Sequence, residues 1–368
     1  MNVPKLRFKG FNDEWKKIQL DSFVDINPKN DSLPEQFIYI DLESVNNGIL
    51  TTRKIINKSE APSRAQRTIK ENDILYQTVR PYQMNNLFVK NFDSDYPYIA
   101  STGYALLRTK ENPYFVYSIL YQKSFVNKVL DMCTGTSYPA ISANDLGTIT
   151  VGLPSLKEQE KISKTLELLD KKIELQSKKI EDLKLFTKNT ISNELNNLQN
   201  YNISKFKDIC NIQTGKSNTQ DKCDDGIYPF YIRSENIERS NNYIFDCEAV
   251  LTIGDGNIGK VFFYENGKFD CHQRVYVLNN FKNVLGKYVY YYFSSFFYKR
   301  AMSMSAKNTV DSVRMEMISD MIIKVPQEKE QIKMINLFSS LDKKLELEQN
   351  KLDKLQELKK GLMQNMFV

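Results

Sequence analysis

Histidine is all but missing from this chain: His272 stands alone among 368 positions. A Ser-His-Asp or Cys-His catalytic system has little to draw on. Cys271 is its neighbour, but adjacency along the chain is not catalytic reach. Cysteine is also sparse, at positions 133, 210, 223, 247 and 271, with no C-x-x-C pair. That pattern offers no four-ligand structural zinc site and predicts free thiols in a reducing compartment. No apolar run approaches the roughly 18 residues a membrane span requires. The densest one, Tyr288 to Tyr298, is short and aromatic and belongs in a core. The opening Met1-Asn-Val-Pro-Lys-Leu-Arg7 lacks the apolar centre of a signal peptide, so the expectation is a cytoplasmic protein with no membrane partner. Low-complexity tails are absent.

An excess charge of one sign is missing too. Lys and Arg number 51 against 45 Asp and Glu. Residues 1–153 carry 18 minus 16, and residues 200–325 carry 16 minus 14, so neither has a polybasic surface by count. A nucleic-acid partner would have to be held by placed side chains rather than by bulk charge.

What the chain does have is a copy of itself. Shifted by 172 positions, Pro154-Ser-Leu-Lys-Glu-Gln159 falls on Pro326-Gln-Glu-Lys-Glu-Gln331, and Leu169-Asp-Lys-Lys-Ile-Glu-Leu175 falls on Leu341-Asp-Lys-Lys-Leu-Glu-Leu347. Across 154–195 against 326–367, 15 of 42 positions are identical, where chance gives about three. Further upstream the match needs gaps: Leu20–Ile26 resembles Phe206–Ile212, and Tyr39-Ile40 with Glu43 resembles Tyr231-Ile232 with Glu235. The division expected is a globular half (1–153), a helix (154–199), a second globular half (200–325) and a second helix (326–368).

Both helices carry an apolar seam with alternating spacings of four and three. In the first it is Ile162, Leu166, Leu169, Ile173, Gln176, Ile180 and Leu183; in the second, Met334, Phe338, Leu341, Leu345, Glu348, Leu352 and Leu355. One polar residue interrupts each seam at the same place, a device that fixes register at some cost in stability. About 40 helical residues make a rod near 60 Å long. That outreaches a small domain and calls for a second helix along its length. The globular halves read as mixed α/β, with strands such as Phe37–Ile40, Asp73–Tyr76, Ala249–Ile253 and Ile149–Leu153. Asn112-Pro113 opens a helix expected to run through Leu130, with Asn as cap and Pro in the first turn.

Two phosphate-binding motifs fail on inspection. Gly254-Asp-Gly-Asn-Ile-Gly259 matches a dinucleotide fingerprint, yet Lys260-Val-Phe-Phe-Tyr264 follows as strand where a helix is required. A glycine-rich hairpin that lets backbone approach something closely fits better. Gly215-Lys216-Ser217 ends like a phosphate loop, but Cys210 occupies the position of its first glycine. Asn112-Pro113-Tyr114-Phe115 lacks the second proline of an adenine-methyltransferase motif and is better read as a helix cap. No carboxylate cluster of nuclease-like spacing stands out.

Pro4-Lys-Leu-Arg-Phe-Lys-Gly-Phe-Asn-Asp-Glu-Trp15 resembles the start of the specificity subunits of bacterial type I restriction-modification enzymes. So do Thr134-Gly-Thr-Ser-Tyr-Pro139 and Leu153-Pro-Ser-Leu-Lys-Glu-Gln-Glu160, and the duplicated plan covers essentially the whole chain. One departure is Ala306-Lys-Asn-Thr-Val-Asp311, where the second copy loses the Thr-Gly-Thr pattern. The resemblance implies two similar α/β target recognition domains separated by two long antiparallel coiled-coil helices. It implies a non-catalytic reader of a split double-stranded DNA target. It also implies docking of two adenine-methyltransferase subunits, and through them of restriction and translocase subunits. The chain itself would need no cofactor or metal, and S-adenosylmethionine, ATP and Mg would belong to those partners.

Base edges are read by Arg and Gln in two-pronged contacts, whereas Lys and Ser suit phosphates. On that ground the DNA-contact candidates of the first half are Arg64, Arg67, Gln77, Arg80, Tyr82, Gln83, Thr136, Ser137 and Tyr138. Those of the second are Lys216, Arg233, Ser234, Asn257, Lys260, Gln273, Arg274, Lys307 and Asn308. Two competing readings remain: a coiled-coil adaptor with two protein-binding domains, and a stand-alone nuclease or methyltransferase. Turnover by the isolated chain would single out the second, and DNA retardation would disfavour the first.

Overall fold

A computed structural model describes residues 3–29, 32–91, 94–135, 137–304 and 312–368. The candidates Thr136, Lys307 and Asn308 lie outside the described residues. The chain forms two compact units, Met1–Gln176 with Lys351–Val368, and Ser177–Asn350. These bounds fall inside the two long helices, Leu156–Asn196 and Glu328–Asn365, rather than at their ends.

The first unit holds two four-stranded sheets. In one, Gln36–Ile40 and Tyr98–Ser101 pair in parallel at the centre, flanked by Lys54–Asn57 and Ala65–Thr68. In the other, Tyr104–Thr109 and Ile74–Gln77 pair antiparallel between Val24–Ile26 and Leu87–Phe88. Ile74–Gln77 is buried throughout because both of its faces are covered. Its alternating side chains divide two cores: Ile74 and Tyr76 join Ala105 and Leu107 on one side, while Leu75 joins Tyr104 and Leu106 on the other. Asn112 caps the first helix by accepting a hydrogen bond from the Phe115 amide at 2.9 Å, with Pro113 in the first turn. The helix expected through Leu130 is in fact two, Pro113–Ile119 and Lys123–Met132. Gln122 takes extended backbone between them and starts the second.

The second unit holds one six-stranded sheet in the order Asn211–Thr214, Val275–Asn279, Phe245–Ile253, Phe262–Cys271, Tyr228–Tyr231 and Ile237–Ser240. Alternation again divides its cores. Val250 and Leu278 pack with the aromatic helix Gly286–Ser303, and Ala249, Leu251 and Val277 pack on the opposite side.

The duplication is visible in how each unit is closed. Lys16–Gln19 pairs antiparallel with Thr150–Leu153, and Tyr201–Lys205 pairs antiparallel with Ile322–Pro326. The Leu20 amide donates to the Ile149 carbonyl, and the Phe206 amide to the Met321 carbonyl. Each closing strand runs into a long helix through a buried glutamine. Gln159 Nε2 donates to the Pro154 carbonyl at 2.9 Å, and its Oε1 accepts from the Asn112 amide at 3.1 Å. Gln331 Nε2 donates to the Pro326 carbonyl at 2.9 Å, and its Oε1 accepts from the Leu285 amide at 2.9 Å. About three turns on, the Tyr114 hydroxyl donates to Asp170, and the Tyr291 hydroxyl donates to Asp342 at 2.6 Å. The repeated Lys-Glu-Gln and Leu-Asp-Lys-Lys segments therefore use Gln and Asp as joints to the globular half.

Within each unit the long helices run antiparallel. In the first, Ile162 and Leu166 share a core with Leu362, Met363, Met366 and Phe367, and Lys359 pairs with Asp170 at 2.5 Å. In the second, Ile191 and Leu195 share a core with Met334 and Phe338, and Lys179 pairs with Glu348 at 3.0 Å. Along the seams Ile162, Leu166, Leu169, Ile180, Met334, Phe338, Leu341 and Leu352 are buried, while Ile173, Leu183, Leu345 and Leu355 are half-buried. Glu348, at the polar position of the second seam, is buried against its lysine partner.

The opening segment straps the first unit. Arg7 makes a two-pronged ion pair with buried Glu158 at 2.7 and 2.8 Å, and the Leu6 amide donates to the Asn365 carbonyl at 2.8 Å. Trp15, the single tryptophan, packs edge-on against Phe115 and Phe367.

If the glutamine joints carry this arrangement, Gln159→Ala and Gln331→Ala should each lower the unfolding free energy by about 1–3 kcal/mol, the cost of unpairing buried backbone groups. Urea denaturation of the two variants checks it, and an unchanged midpoint in either would show that its joint is dispensable.

Candidate nucleic-acid interface

Four loops of the second unit are laced together by backbone hydrogen bonds. The Gly215 amide donates to the Val275 carbonyl, the Ser217 amide to Cys271, the Gln273 amide to Ser217, the His272 amide to Tyr231, and the Gly254 amide to Arg274. Gly254 is required there: a Cβ would stand 2.7 Å from the Arg274 carbonyl oxygen. This is the close backbone approach expected of the Gly254–Gly259 hairpin. The strand Phe262–Cys271 follows it, and no phosphate-binding helix does.

This lacing gathers most of the second-half candidates. Lys216, Arg233, Asn257, Lys260, Gln273 and Arg274 are exposed, and Ser234 is half-buried. Arg233 Nη1 lies 3.2 Å from Asp255 Oδ2, and Arg274 Nε lies 3.9 Å from the same oxygen. Gln273 Nε2 donates to Asn218 Oδ1 at 2.8 Å, and the Lys260 ammonium sits over the Tyr298 ring at 5.5 Å. Beneath them Ser217 Oγ donates to the buried carboxylate of Asp270 at 2.8 Å. Burial raises the Asp270 pKa, and its hydrogen bonds oppose that shift.

His272 is buried in the same cluster. Its Nδ1 accepts from the Arg274 amide at 3.0 Å, so the neutral ring carries its proton on Nε2. Burial lowers its pKa, and Arg233 and Arg274 push the same way against Asp255 and Asp221. Burial raises the neighbouring Cys271 thiol far above its ordinary value. Burial thus favours the neutral ring and the protonated thiol alike, the reverse of what a thiolate–imidazolium pair needs.

The first unit builds its loops differently. Thr78 receives and returns contacts across the sheet end: its amide and Oγ1 both donate to the Gly103 carbonyl, and its own carbonyl accepts from Ile141. The Arg80 amide donates to the Pro139 carbonyl, which brings the Arg80 guanidinium over the exposed Tyr138 ring at 4.4 Å. Arg80 and Met84 bracket the short helix Pro81–Gln83 in left-handed backbone, at φ 54° and 52°. Such conformations cost energy in non-glycine residues and concentrate at functional loops. Tyr82, Gln83 and Ser137 are exposed on these loops, and Arg64 is exposed where its carbonyl accepts from the Thr102 amide. Arg67 is half-buried on the strand Ala65–Thr68, its Nε makes no hydrogen bond, and burial lowers its pKa.

Gln77 is not a surface side chain. It is 1% exposed, because the last residue of Ile74–Gln77 is still inside the sheet. Its Nε2 donates to the Val79 carbonyl and to Gln83 Oε1, both at 2.8 Å, and its Oε1 accepts from the Asn85 amide. It shapes the loop that carries Arg80, Tyr82 and Gln83. Asp255, Asn218 and Asp270 carry no mark in the sequence, since each works through a partner distant in the chain.

Two further surfaces repeat. Leu175 and Leu347, at equivalent positions of the two long helices, are 58% and 52% exposed, and so are Phe186 and Leu358, at 58% and 52%. Among the described residues no cluster of three or more His, Cys, Asp or Glu is placed to hold a metal ion, and no helix is long and apolar enough to cross a membrane.

The family model described as the type I restriction modification DNA specificity domain matches residues 12–185 and again 199–357. The type I restriction enzyme EcoDI specificity subunit of Escherichia coli is 24% identical over 157 residues, 43% of this chain and 34% of that protein. The HindI specificity subunit of Haemophilus influenzae is 28% identical over 139 residues, 36% of this chain and 30% of that one. The aligned segments thus span about a third of these curated relatives. A crystal structure of a type I restriction-modification S subunit from M. genitalium superposes with TM-score 0.64 at 17% identity, covering 100% of this chain and 99% of that one. A chain from a study of complex assembly and conformational transition in a type I R-M system gives TM-score 0.61 at 19% identity, over 97% and 98%. At these identities the structural likeness shows the fold.

The neutral state of His272 is directly measurable, because it is the chain's one histidine. Its ring should titrate below the ordinary value of 6.5. Above that pH the ring is neutral in both folded and unfolded chains. As pH falls below it the unfolded chain takes up a proton first, so stability drops toward the folded midpoint. Imidazole NMR titration checks this, and a midpoint at or above 6.5 would contradict the buried, cation-flanked environment.

Proposed function

The chain belongs to the type I restriction-modification DNA specificity family, and from that membership we propose that it is the non-catalytic specificity subunit of such a system. It reads a split double-stranded DNA target, one part with each globular half. The observation that carries this reading is the pair of loop clusters, each bringing Arg, Gln and aromatic side chains together on a hydrogen-bonded frame. Arg and Gln match guanine and adenine edges in two-pronged contacts, and Lys216 and Ser137 suit phosphates. With no polybasic segment in the sequence, such placed contacts are the available source of selectivity.

The helices act as spacer and docking platform in this reading. Two seams in matching register suit a fixed, unread gap between half-sites whose centres lie about one DNA turn apart. The exposed pairs Leu175 with Leu347 and Phe186 with Leu358 suit two copies of one partner, the methyltransferase subunits, since repeated patches recruit like subunits. Restriction and translocase subunits join through them. S-adenosylmethionine, ATP and Mg act in those partners.

The DNA reading is tested by selection from randomised duplexes. Arg80→Ala should relax preference in one half-site and spare the other, and Arg274→Ala should do the reverse, each by about 1–3 kcal/mol of discrimination. If both variants keep the parent preference, these loops are not the readers. Docking is tested separately. Leu175→Lys combined with Leu347→Lys should weaken assembly with the methyltransferase subunits while leaving the melting temperature within a few degrees, since both side chains already face solvent. Undiminished assembly would remove the helices from the docking surface.

A further inference from the structure

Among the described residues, Asp255 is the carboxylate that faces two of the candidate base readers. It comes from the hairpin between Phe245–Ile253 and Phe262–Cys271, whereas Arg233 follows Tyr228–Tyr231 and Arg274 precedes Val275–Asn279. Gly254, the residue before Asp255, is pinned through both its amide and its carbonyl. The Gly254 amide donates to the Arg274 carbonyl at 2.7 Å, and the Val313 amide donates to the Gly254 carbonyl at 2.7 Å. The Tyr276 hydroxyl in turn donates to the Val313 carbonyl at 2.9 Å. The carboxylate is thereby held at a fixed point, 20% exposed, while the arginines opposite it are 49% and 59% exposed.

Stability does not account for this placement, because ion pairs between such exposed partners contribute little. Attraction to DNA does not account for it either, since a fixed negative charge among the readers repels phosphate. Orientation does. An arginine loses side-chain freedom when it grips a base, and a carboxylate that already holds one face of its guanidinium lowers that loss. A guanidinium has five N–H donors, so one contact to Asp255 leaves an edge for a guanine.

We propose that Asp255 is a positioning residue for specificity: it holds Arg233 and Arg274 in the geometry that reads the second half-site and suppresses their unselective grip on phosphates. This rests on the DNA-reading function proposed above. The chain's affinity for unrelated DNA is kept low by the same group that makes its selective contacts strict.

The test compares full-length wild type and Asp255→Asn by selection from randomised duplexes, followed by titration on the selected and on an unrelated duplex at two salt concentrations. Expected for Asp255→Asn is a loss of about tenfold in discrimination at second-half positions. The first-half preference should be unchanged, and affinity for the unrelated duplex should rise severalfold at low salt. In an Arg233→Ala, Arg274→Ala background the substitution should have no further effect on discrimination. A merely structural role would lower the melting temperature and weaken binding to both duplexes together, and that result overturns the proposal. Retained second-half discrimination in a folded Asp255→Asn chain also overturns it while leaving the DNA reading intact. A wild-type chain that selects no sequence would overturn the DNA reading, and the role of Asp255 with it.

Discussion

The rest of the structure depends on a glutamine buried where each closing strand becomes a long helix. Gln159 and Gln331 each link the carbonyl of a proline at or just past the end of a closing strand to the amide of the residue that precedes a helix of the globular half. A buried amide side chain with both ends satisfied fixes three backbone elements at once, and removing it strands polar groups away from water. The Tyr114–Asp170 and Tyr291–Asp342 bonds repeat the attachment further along. The helix of each copy is therefore a continuation of its sheet, with its direction set at the joint. Direction at the joint decides which side chains can meet in a seam.

The loops are built on the opposite principle. Where the joints are near-identical in the two copies, the loop frames differ in means. The first unit uses left-handed residues around a short helix and a guanidinium stacked on tyrosine. The second uses a glycine hairpin pressed on a neighbouring backbone and one carboxylate shared by two arginines. A duplicated scaffold with unlike loops suits a molecule that must make the same attachment twice while recognising two different things.

How much of this was legible in the sequence follows from the range of the interactions involved. The helices and their seams were legible because a four-three spacing is local and the duplication doubled the signal. Leu169 and Leu341 fall in the core as that spacing requires. The Gly254 hairpin was legible because a strand pattern followed the glycines where a nucleotide site needs a helix. The joints were not. The Lys-Glu-Gln repeat stood out as a motif, but the partners of its Gln are backbone groups, which have no signature in the letters. Gln77 read as a polar loop residue and is inside the sheet, since its strand runs one residue beyond the apolar run that marked it. Asp255 was hidden inside a motif set aside for another reason, and its partners stand 22 and 19 positions away. The expected helix through Leu130 breaks at Gln122, where a turn intervenes without glycine or proline to announce it.

A split reader with a fixed spacer makes one demand that neither a protein adaptor nor a solitary nuclease makes. Methylome sequencing of a host that carries this gene, against the same host lacking it, tests that demand directly. The account predicts one gene-dependent motif made of two short sequences around an unread gap of constant length, with methylated adenines on opposite strands. A continuous motif, a gap of variable length, or identical methylomes would contradict it.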